Sequence, residues 1–270
     1  MVTHVTAPTA ALLDTLPTWV TLLRAPNPGP MTLDGTNTWV LRAADGEPAV
    51  VIDPGPLDEG HLTAIAAHAP VELILLTHGH HDHVEGAARL SGLLGGVRVA
   101  GLDPAHCVGG GPLDPDRPVI VGSLEVKPIA TPGHTGDSVS YRVRDVVFTG
   151  DTILGRGTTV VAWPDGDLGD YLSSLRRLRQ EGPVPALPGH GPALADCAVA
   201  AGYYLEHRLA RLEQVRAALA AGAETAEQVV RVVYADVDPV LWPAAEWSVR
   251  AQLAHLERES RAPSPGLDEL

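Results

Sequence analysis

What this chain is short of narrows it first. It has one phenylalanine, a single lysine (Lys127), two cysteines and only 4% aromatic residues in 270. Cys107 and Cys197 lie far apart in sequence and could form one bridge at most. A chain of this length buries a core without them, so free thiols are expected. Positive charge is scarce too: 19 basic against 33 acidic residues leave a net charge of −14. That balance suits a nucleic-acid platform poorly, because phosphate contacts want a basic surface. A local channel can still be positive on an acidic protein. No apolar run reaches the roughly 20 residues that a membrane span needs. Residues 1–17 show no basic start followed by an apolar stretch, so no secretory signal is expected. The chain reads as soluble and cytoplasmic, with no membrane partner.

What is present is an ordinary globular balance, 45% apolar and 19% charged. The length fits one large α/β domain, or a domain of about 200 residues with a small appendage. Runs rich in Val, Ile and Leu, closed by Gly, Pro, Asp or His, predict strands at 19–23, 38–41, 49–52, 73–76, 97–100, 119–121, 139–141, 146–148 and 184–187. Helices are predicted near 59–68, 84–94 and 168–179; in the last, Leu168, Tyr171, Leu172, Leu175 and Leu178 share one face.

After about Pro192 the character changes. Leu205, Leu209, Leu212, Val215 and Leu219 form a long helical stripe, with Gly222 placed to end it. Thr225 and Gln228 form a capping box. A last helix starts at Pro243, with Trp242, Ala245, Val249, Leu253 and Leu256 on one side. The expected division is a catalytic domain over 1–193, a helical subdomain over 194–262 and a flexible tail over 263–270.

The chemistry concentrates in LILLTHGHHDHVEG, residues 73–86. A buried strand there runs into a turn carrying His78, His80, Asp82 and His83. Packing gives no reason to put three imidazoles and a carboxylate at a strand end, whereas metal coordination does. Three later positions repeat the device: His134 in ATPGHTGDS, Asp151 in FTGDT and His190 in LPGHGP. Each follows a β-type run and is flanked by glycine or proline. His81 reads as solvated rather than as a ligand, and Thr77 or Ser138 as supports for the ligands.

The order HxHxDH, His134, Asp151, His190 resembles the metallo-β-lactamase superfamily, over roughly residues 27–192. Asp53-Pro54-Gly55 resembles that family's first, mainly structural motif. The resemblance implies an α/β fold, a four-layer αβ/βα sandwich with two metals at one edge of the sheets. By position, His78, His80 and His134 would hold one metal, Asp82, His83 and His190 the other, with Asp151 bridging. Common true β-lactamases place a cysteine where this chain has Asp151, which makes penicillin destruction the weaker expectation. NPGPMTLDGTNTWV (27–40), the GDT at 150–152 and the helical tail resemble the β-lactamase-like-protein-2 group. Members of that group carry a winged-helix-like C-terminal domain, although no strand pair is predicted here after the last helix.

The resemblance further implies a dinuclear hydrolase in which a metal-activated hydroxide attacks, with Asp82 both ligating and orienting the water. Zinc is favoured on ligand type; iron and manganese accept the same donors. Two substrate classes follow: a small-molecule or carrier-linked ester, thioester or lactone, and single-stranded RNA. Residues 203–262 hold seven arginines against nine acids and few aromatics on which bases could stack. Arg156, Arg176, Arg177 and Arg179 make the only local basic concentration, the last three read as a solvated helix face. The acyl class is therefore preferred. A catalytically silent metal-binding or regulatory module is the alternative of another kind, and seven filled ligand positions argue against it. The apolar stripe with Trp242 and Trp247 must bury against something, its own domain by default or a second copy in a homodimer.

Overall fold

Strands that are apolar on both faces need cover on both. The computed structural model describes residues 11–261 apart from Ala162, and in it the strands find that cover between and outside two five-stranded sheets. The first sheet runs β1 (Val20–Arg24), β2 (Asn37–Leu41), β3 (Ala49–Ile52), β4 (Val71–Leu75), β5 (Arg98–Ala100). Its first three strands are antiparallel neighbours and its last three parallel. The second is ordered β10 (Ala186–Pro188), β9 (Val146–Gly150), β8 (Val139–Val143), β7 (Leu124–Ala130), β6 (Val119–Val121). The expected tail, 263–270, lies outside the described residues.

Alternation along each strand sends side chains to two separate cores. Val50, Ile52, Leu73 and Leu75 face the second sheet, where Tyr141, Val146 and Phe148 meet them. Val51 and Ile74 point outward onto helices α1 (Glu59–Ala66) and α3 (Ala87–Leu93). On the far side, Val147 and Ala186 are covered by α4 (Leu168–Arg179) and by α5 (Cys197–Ala220). The four layers are the expected αβ/βα sandwich.

Three local expectations need correction. β7 is absent from the predicted strands, and its Pro128 runs against the rule that keeps proline out of paired strands. The register explains it: β6 pairs only with Leu124–Val126, so beyond Val126 one side of β7 is open and a missing N–H is tolerated. The helix predicted over 84–94 is broken at Glu85–Gly86 into α2 (His81–Val84) and α3. Gly86 passes close to the chain at Gly55 and Pro56 and donates its N–H to the Gly55 carbonyl.

The third correction concerns α5. Its inner face reads Ala201, Tyr204, Leu205, Arg208, Leu212, Val215. Leu209, expected in the stripe, is 41% exposed, while Arg208 is 3% exposed. The C-terminal half of α5 packs on α6 (Ala226–Val233) and α7 (Trp242–Arg261) around Val215, Val229 and Val249. The helix ends at Ala220, two residues before Gly222, and Thr225 and Gln228 form the predicted capping box. Among the described residues, no helix is long and apolar enough to cross a membrane. Both cysteines are free, and burial pushes the Cys197 thiol up to about 12.

His207, on α5, is 8% exposed. Burial, then Arg208 and Arg211, hold its imidazole down to about 3. The folded protein therefore refuses a proton that the unfolded chain takes up near pH 6.5. The associated stability is complete above that pH and drains away as pH falls toward 3, by roughly 2 kcal/mol at pH 5. His207→Gln should lose about that much less than the parent between pH 7 and pH 5 in urea titrations. An identical acid penalty in both proteins would show that His207 is not buried in its neutral form.

Candidate metal centre

Strand direction alone gathers the predicted ligands. β7 and β9 flank antiparallel β8 and so run the same way, and β10 lies parallel to β9. Their C-terminal ends share one edge of the second sheet. The end of β4, in the first sheet, is tied to that edge by Val139 N–H donating to Thr77 O at 2.8 Å and Tyr141 O–H to Leu76 O at 2.5 Å. His78, His80, Asp82 and His83 follow β4, His134 follows β7, Asp151 follows β9 and His190 follows β10.

All seven side chains converge. Ligand atoms of His78, His80 and His134 lie within 4.8 Å of one another, as do those of Asp82, His83 and His190. His78 Nε2 and His134 Nε2 approach His80 Nδ1 at 3.0 and 3.1 Å. His83 Nε2 and His190 Nε2 face each other at 3.2 Å. Asp151 stands between the trios, 3.4 Å from His190 Nε2, 3.6 Å from His83 Nε2 and 3.9 Å from His134 Nε2. His81 is exposed and outside the cluster, as expected.

The outer nitrogens explain why the inner ones point inward. Thr77 Oγ1 donates to Asp53 Oδ2 at 2.7 Å, leaving a lone pair to accept from His78 Nδ1 at 3.0 Å. His83 Nδ1 bonds Asp53 Oδ2 at 2.8 Å, His134 Nδ1 the Val160 carbonyl at 2.5 Å and His190 Nδ1 the Gly35 carbonyl at 3.3 Å. An Nδ1–H so engaged fixes the tautomer whose Nε2 lone pair faces the centre. Thr36 Oγ1 reaches Asp82 Oδ2 at 3.3 Å. Of the two supports expected, Thr77 touches a ligand, while Ser138 instead holds Thr135 Oγ1 at 2.7 Å in the turn beside His134. Asp53 does more than its motif suggested, holding a left-handed φ of 52° while its carboxylate also accepts from Thr77 N–H at 2.8 Å. The carbonyls of Val160 and Gly35 leave no mark in sequence, and the sequence reading missed them.

Two glycines are required by crowding. A Cβ on Gly189 would lie 2.4 Å from Asp151 Oδ1 and 2.7 Å from His83 Cε1. Gly133, at φ 132°, puts its α-carbon where a Cβ would meet the Tyr171 backbone at 2.3 Å. Its neighbour His134 is aimed as a result.

The cluster divides electrostatically. Burial pushes His78 well below the usual imidazole range, with His83 adding to it, and lowers His134 to about 4. Burial opposes the charge on Asp82 and Asp151, but His83 and His190 outweigh it and hold both carboxyls well below their usual range. Burial likewise opposes a proton on His190, yet Asp151 and Asp82 raise it to about 9. The centre draws positive charge. Asp151 Oδ1 is buried and has no hydrogen-bond partner among the described residues. That orphan acceptor, the facing imidazole nitrogens and the His/Asp donor set fit a pair of zinc-like cations.

The profile described as "Metallo-beta-lactamase superfamily" matches residues 31–106 and 112–190. The chain belongs to the metallo-β-lactamase superfamily. Members of this superfamily are mostly hydrolases. A second profile, "Beta-lactamase associated winged helix domain", matches residues 225–266, where the described chain is helical through Arg261 and holds no strand. The chain is 33% identical over 262 residues to the "Beta-lactamase-like protein 2 homolog" of Drosophila melanogaster, covering 87% of this chain and 86% of that one. It is 32% identical over 221 residues to the "Atrochrysone carboxyl ACP thioesterase" of Aspergillus fumigatus, covering 77% and 67% respectively. A solved β-lactamase domain protein from Burkholderia ambifaria shares the fold, with a TM-score of 0.78 at 24% identity over 94% of this chain and 93% of that one.

Two concavities reach the metallo-β-lactamase centre. An open cleft of about 760 Å³ lies against His80, walled by Asp103, Asp137 and Asp165 with Trp163 and Trp247. Burial raises the Asp137 carboxyl, and repulsion from Asp165 and Asp103 adds to the shift. Trp247, expected in the buried stripe, is 48% exposed on this cleft, whereas Trp242 packs inward and donates its indole N–H to the Val237 carbonyl at 3.1 Å. On another side, a chamber of about 270 Å³ abuts His134 and Asp151 beneath α5 and α7.

Asp53→Asn tests how the centre is built. The carboxylate accepts on both oxygens, from Thr77 N–H on Oδ1 and from Thr77 Oγ1 and His83 Nδ1 on Oδ2. An amide has one accepting oxygen and sets its NH2 against a donor on the other side, so ligand orientation is lost while shape is kept. Metal affinity, read by competition with a chromophoric chelator, should fall about 10- to 100-fold. Unchanged affinity would remove Asp53 from any role in aiming His83.

Proposed function

We propose that this protein is a metal-dependent hydrolase of small-molecule or carrier-linked thioesters. The observation that carries this reading is the chamber against Asp151 and His134. It is bordered by the C-terminal helices, has an apolar wall that includes Met31, Leu33, Leu154 and Leu241, and is sized for an acyl group. The likeness to a protein named as an acyl-carrier thioesterase supports the same class. The cleft on the His80 side, open to solvent, then takes the leaving arm. Its three carboxylates oppose a polyphosphate strand, which weighs against RNA.

His78, His80 and His134 would hold one cation and Asp82, His83 and His190 a second, with Asp151 between them. Cations held there would supply Lewis acidity, making water a stronger nucleophile and a carbonyl carbon a better target. The chain's own side chains do the rest. Asp82, whose side chain is 26% exposed, is the more open of the two carboxylates and remains ionised beside His83 and His190. It accepts hydrogen bonds only, and so orients the attacking water toward the acyl carbon. The apolar chamber wall holds the acyl group and excludes competing water. Water adds to the carbonyl carbon and the C–S bond breaks, giving a carboxylate, a thiol and a proton. A thiolate leaves readily near neutral pH, its conjugate acid having a pKa of about 8.5, so no strong acid is asked of the leaving-group side.

Protein reconstituted in turn with zinc, iron and manganese should hydrolyse at least one member of an acyl thioester panel. Asp82→Ala should lower kcat by about 10²- to 10⁴-fold. Labelled single-stranded RNA serves as the competing substrate. Metal-dependent cutting of RNA that Asp82→Ala abolishes, with no thioester turned over, would replace this reading by the nuclease one.

A further inference from the structure

Arg208 breaks the pattern of the helix that carries it. Along α5 the inward positions Ala201, Tyr204, Leu205, Leu212 and Val215 are small, aromatic or aliphatic, and the helical period asks for another such residue between Leu205 and Leu212. The chain places Arg208 there and turns Leu209 out to solvent. The guanidinium lies over the Tyr171 ring at 5.3 Å and donates through Nη2 to the Thr159 carbonyl. Its Nε has no hydrogen-bond partner among the described residues, and no carboxylate lies within ion-pair distance of it there. A buried cation without a counter-ion is costly to keep. Residues that break a local rule mark sites where function overrides folding.

Arg208 is not alone. The Tyr234 hydroxyl and His207 Nδ1 are also buried without hydrogen-bond partners among the described residues, and both residues line the same chamber. Arg156 and Arg211 line it as well, but Arg156 is paired with Asp34, and Arg211 lies 4.0 Å from Asp236 and over the Tyr234 ring. A chain of net charge −14 thus brings three of its 19 bases to one small chamber and leaves one of them uncompensated.

We propose that this chamber binds acyl groups that carry their own carboxylate, received by Arg208 and the Tyr234 hydroxyl while the thioester carbonyl lies toward Asp151. The inference rests on the thioester reading of the same site and adds the substrate class: monothioesters of dicarboxylic acids. The apolar wall takes the methylene chain, and the planar fork of an arginine suits a carboxylate held by two parallel hydrogen bonds. Hydrolysis would release the dicarboxylate and a thiol.

The test compares N-acetylcysteamine monothioesters of straight-chain dicarboxylic acids, four to eight carbons long, with monocarboxylic thioesters of equal length. Calorimetry of the metal-loaded protein with the free dicarboxylates and monocarboxylates gives a second readout that needs no turnover. The parent should prefer at least one dicarboxylic thioester by tenfold or more in kcat/KM and bind its free acid correspondingly tighter. Arg208→Met should bring both ratios near one. Should Arg208→Met fail to fold, Tyr234→Phe replaces it: removing an unpartnered hydroxyl should leave Tm at or above the parental value while cutting the preference several-fold. Equal turnover of the two series, with equal binding of their acids, would overturn the anionic pocket and leave the thioester reading intact. No turnover of either series, with dicarboxylates still bound through Arg208, would sink the thioester reading and leave the pocket. Loss of turnover together with loss of the binding preference would end both.

Discussion

The structure depends on one electrostatic constraint: two carboxylates and five imidazoles are crowded at one edge of the sheets, with more lone pairs facing inward than the described residues satisfy. His80 Nδ1 faces two other imidazole nitrogens at 3.0 and 3.1 Å, and Asp151 Oδ1 lies buried without a hydrogen-bond donor among the described residues. In a protein interior such an arrangement is unfavourable unless a cation completes it. The scaffold around it is correspondingly stiff. Three ligand-bearing strand ends run in one direction in the second sheet, and the fourth is tied across to them through Val139 and Tyr141. Outward-facing ring nitrogens are anchored on Asp53, Thr77 and two backbone carbonyls. The fold and the centre are one piece of engineering, because the bonds that join the two sheets at this edge also set the ligand geometry.

How much of this was legible depends on what kind of residue carries it. The convergence of the seven candidate ligands could be anticipated because a polar residue at the end of an apolar run has no packing reason to be there, and the exception repeats four times. Strands with strong alternation or β-branched runs were equally readable. β7 was not, because the tolerance for Pro128 comes from how far its neighbour β6 extends, which is a tertiary fact. The carbonyls of Gly35 and Val160 were beyond reach because every residue carries a carbonyl. Asp53 was visible as a motif but its contact with His83, 30 residues away, was not.

The C-terminal segment shows a subtler limit. Leu205, Leu209 and Leu212 look like one stripe, since spacings of three and four both belong to a helix. Over the 24 residues of α5 the buried face drifts, and at the fourth turn it passes through position 208 rather than 209. Hydrophobicity counted residue by residue favours the leucine, and only packing against α4 and α7 reveals that the arginine is inside. The basic concentration seen in sequence, Arg176, Arg177 and Arg179, is exposed as expected. The arginines that reach the site are spread over 56 positions of chain, from Arg156 to Arg211, and are assembled only by the fold.

That assembly would reconcile an acidic protein with the anionic small substrate proposed for it. Net charge acts at long range and is screened beyond about 8 Å at physiological ionic strength. A polyanion cannot escape it, because phosphates outside the pocket face the carboxylates of the cleft and the rest of the surface, and its affinity is a sum over many contacts. A single carboxylate entering the chamber would meet instead the guanidinium of Arg208, the Tyr234 hydroxyl and an apolar wall, where the effective dielectric is low and one charge pair outweighs distant ones. The same surface charge that disfavours RNA is therefore compatible with a carboxylated acyl group, and the two substrate classes are separated by where their negative charge must sit.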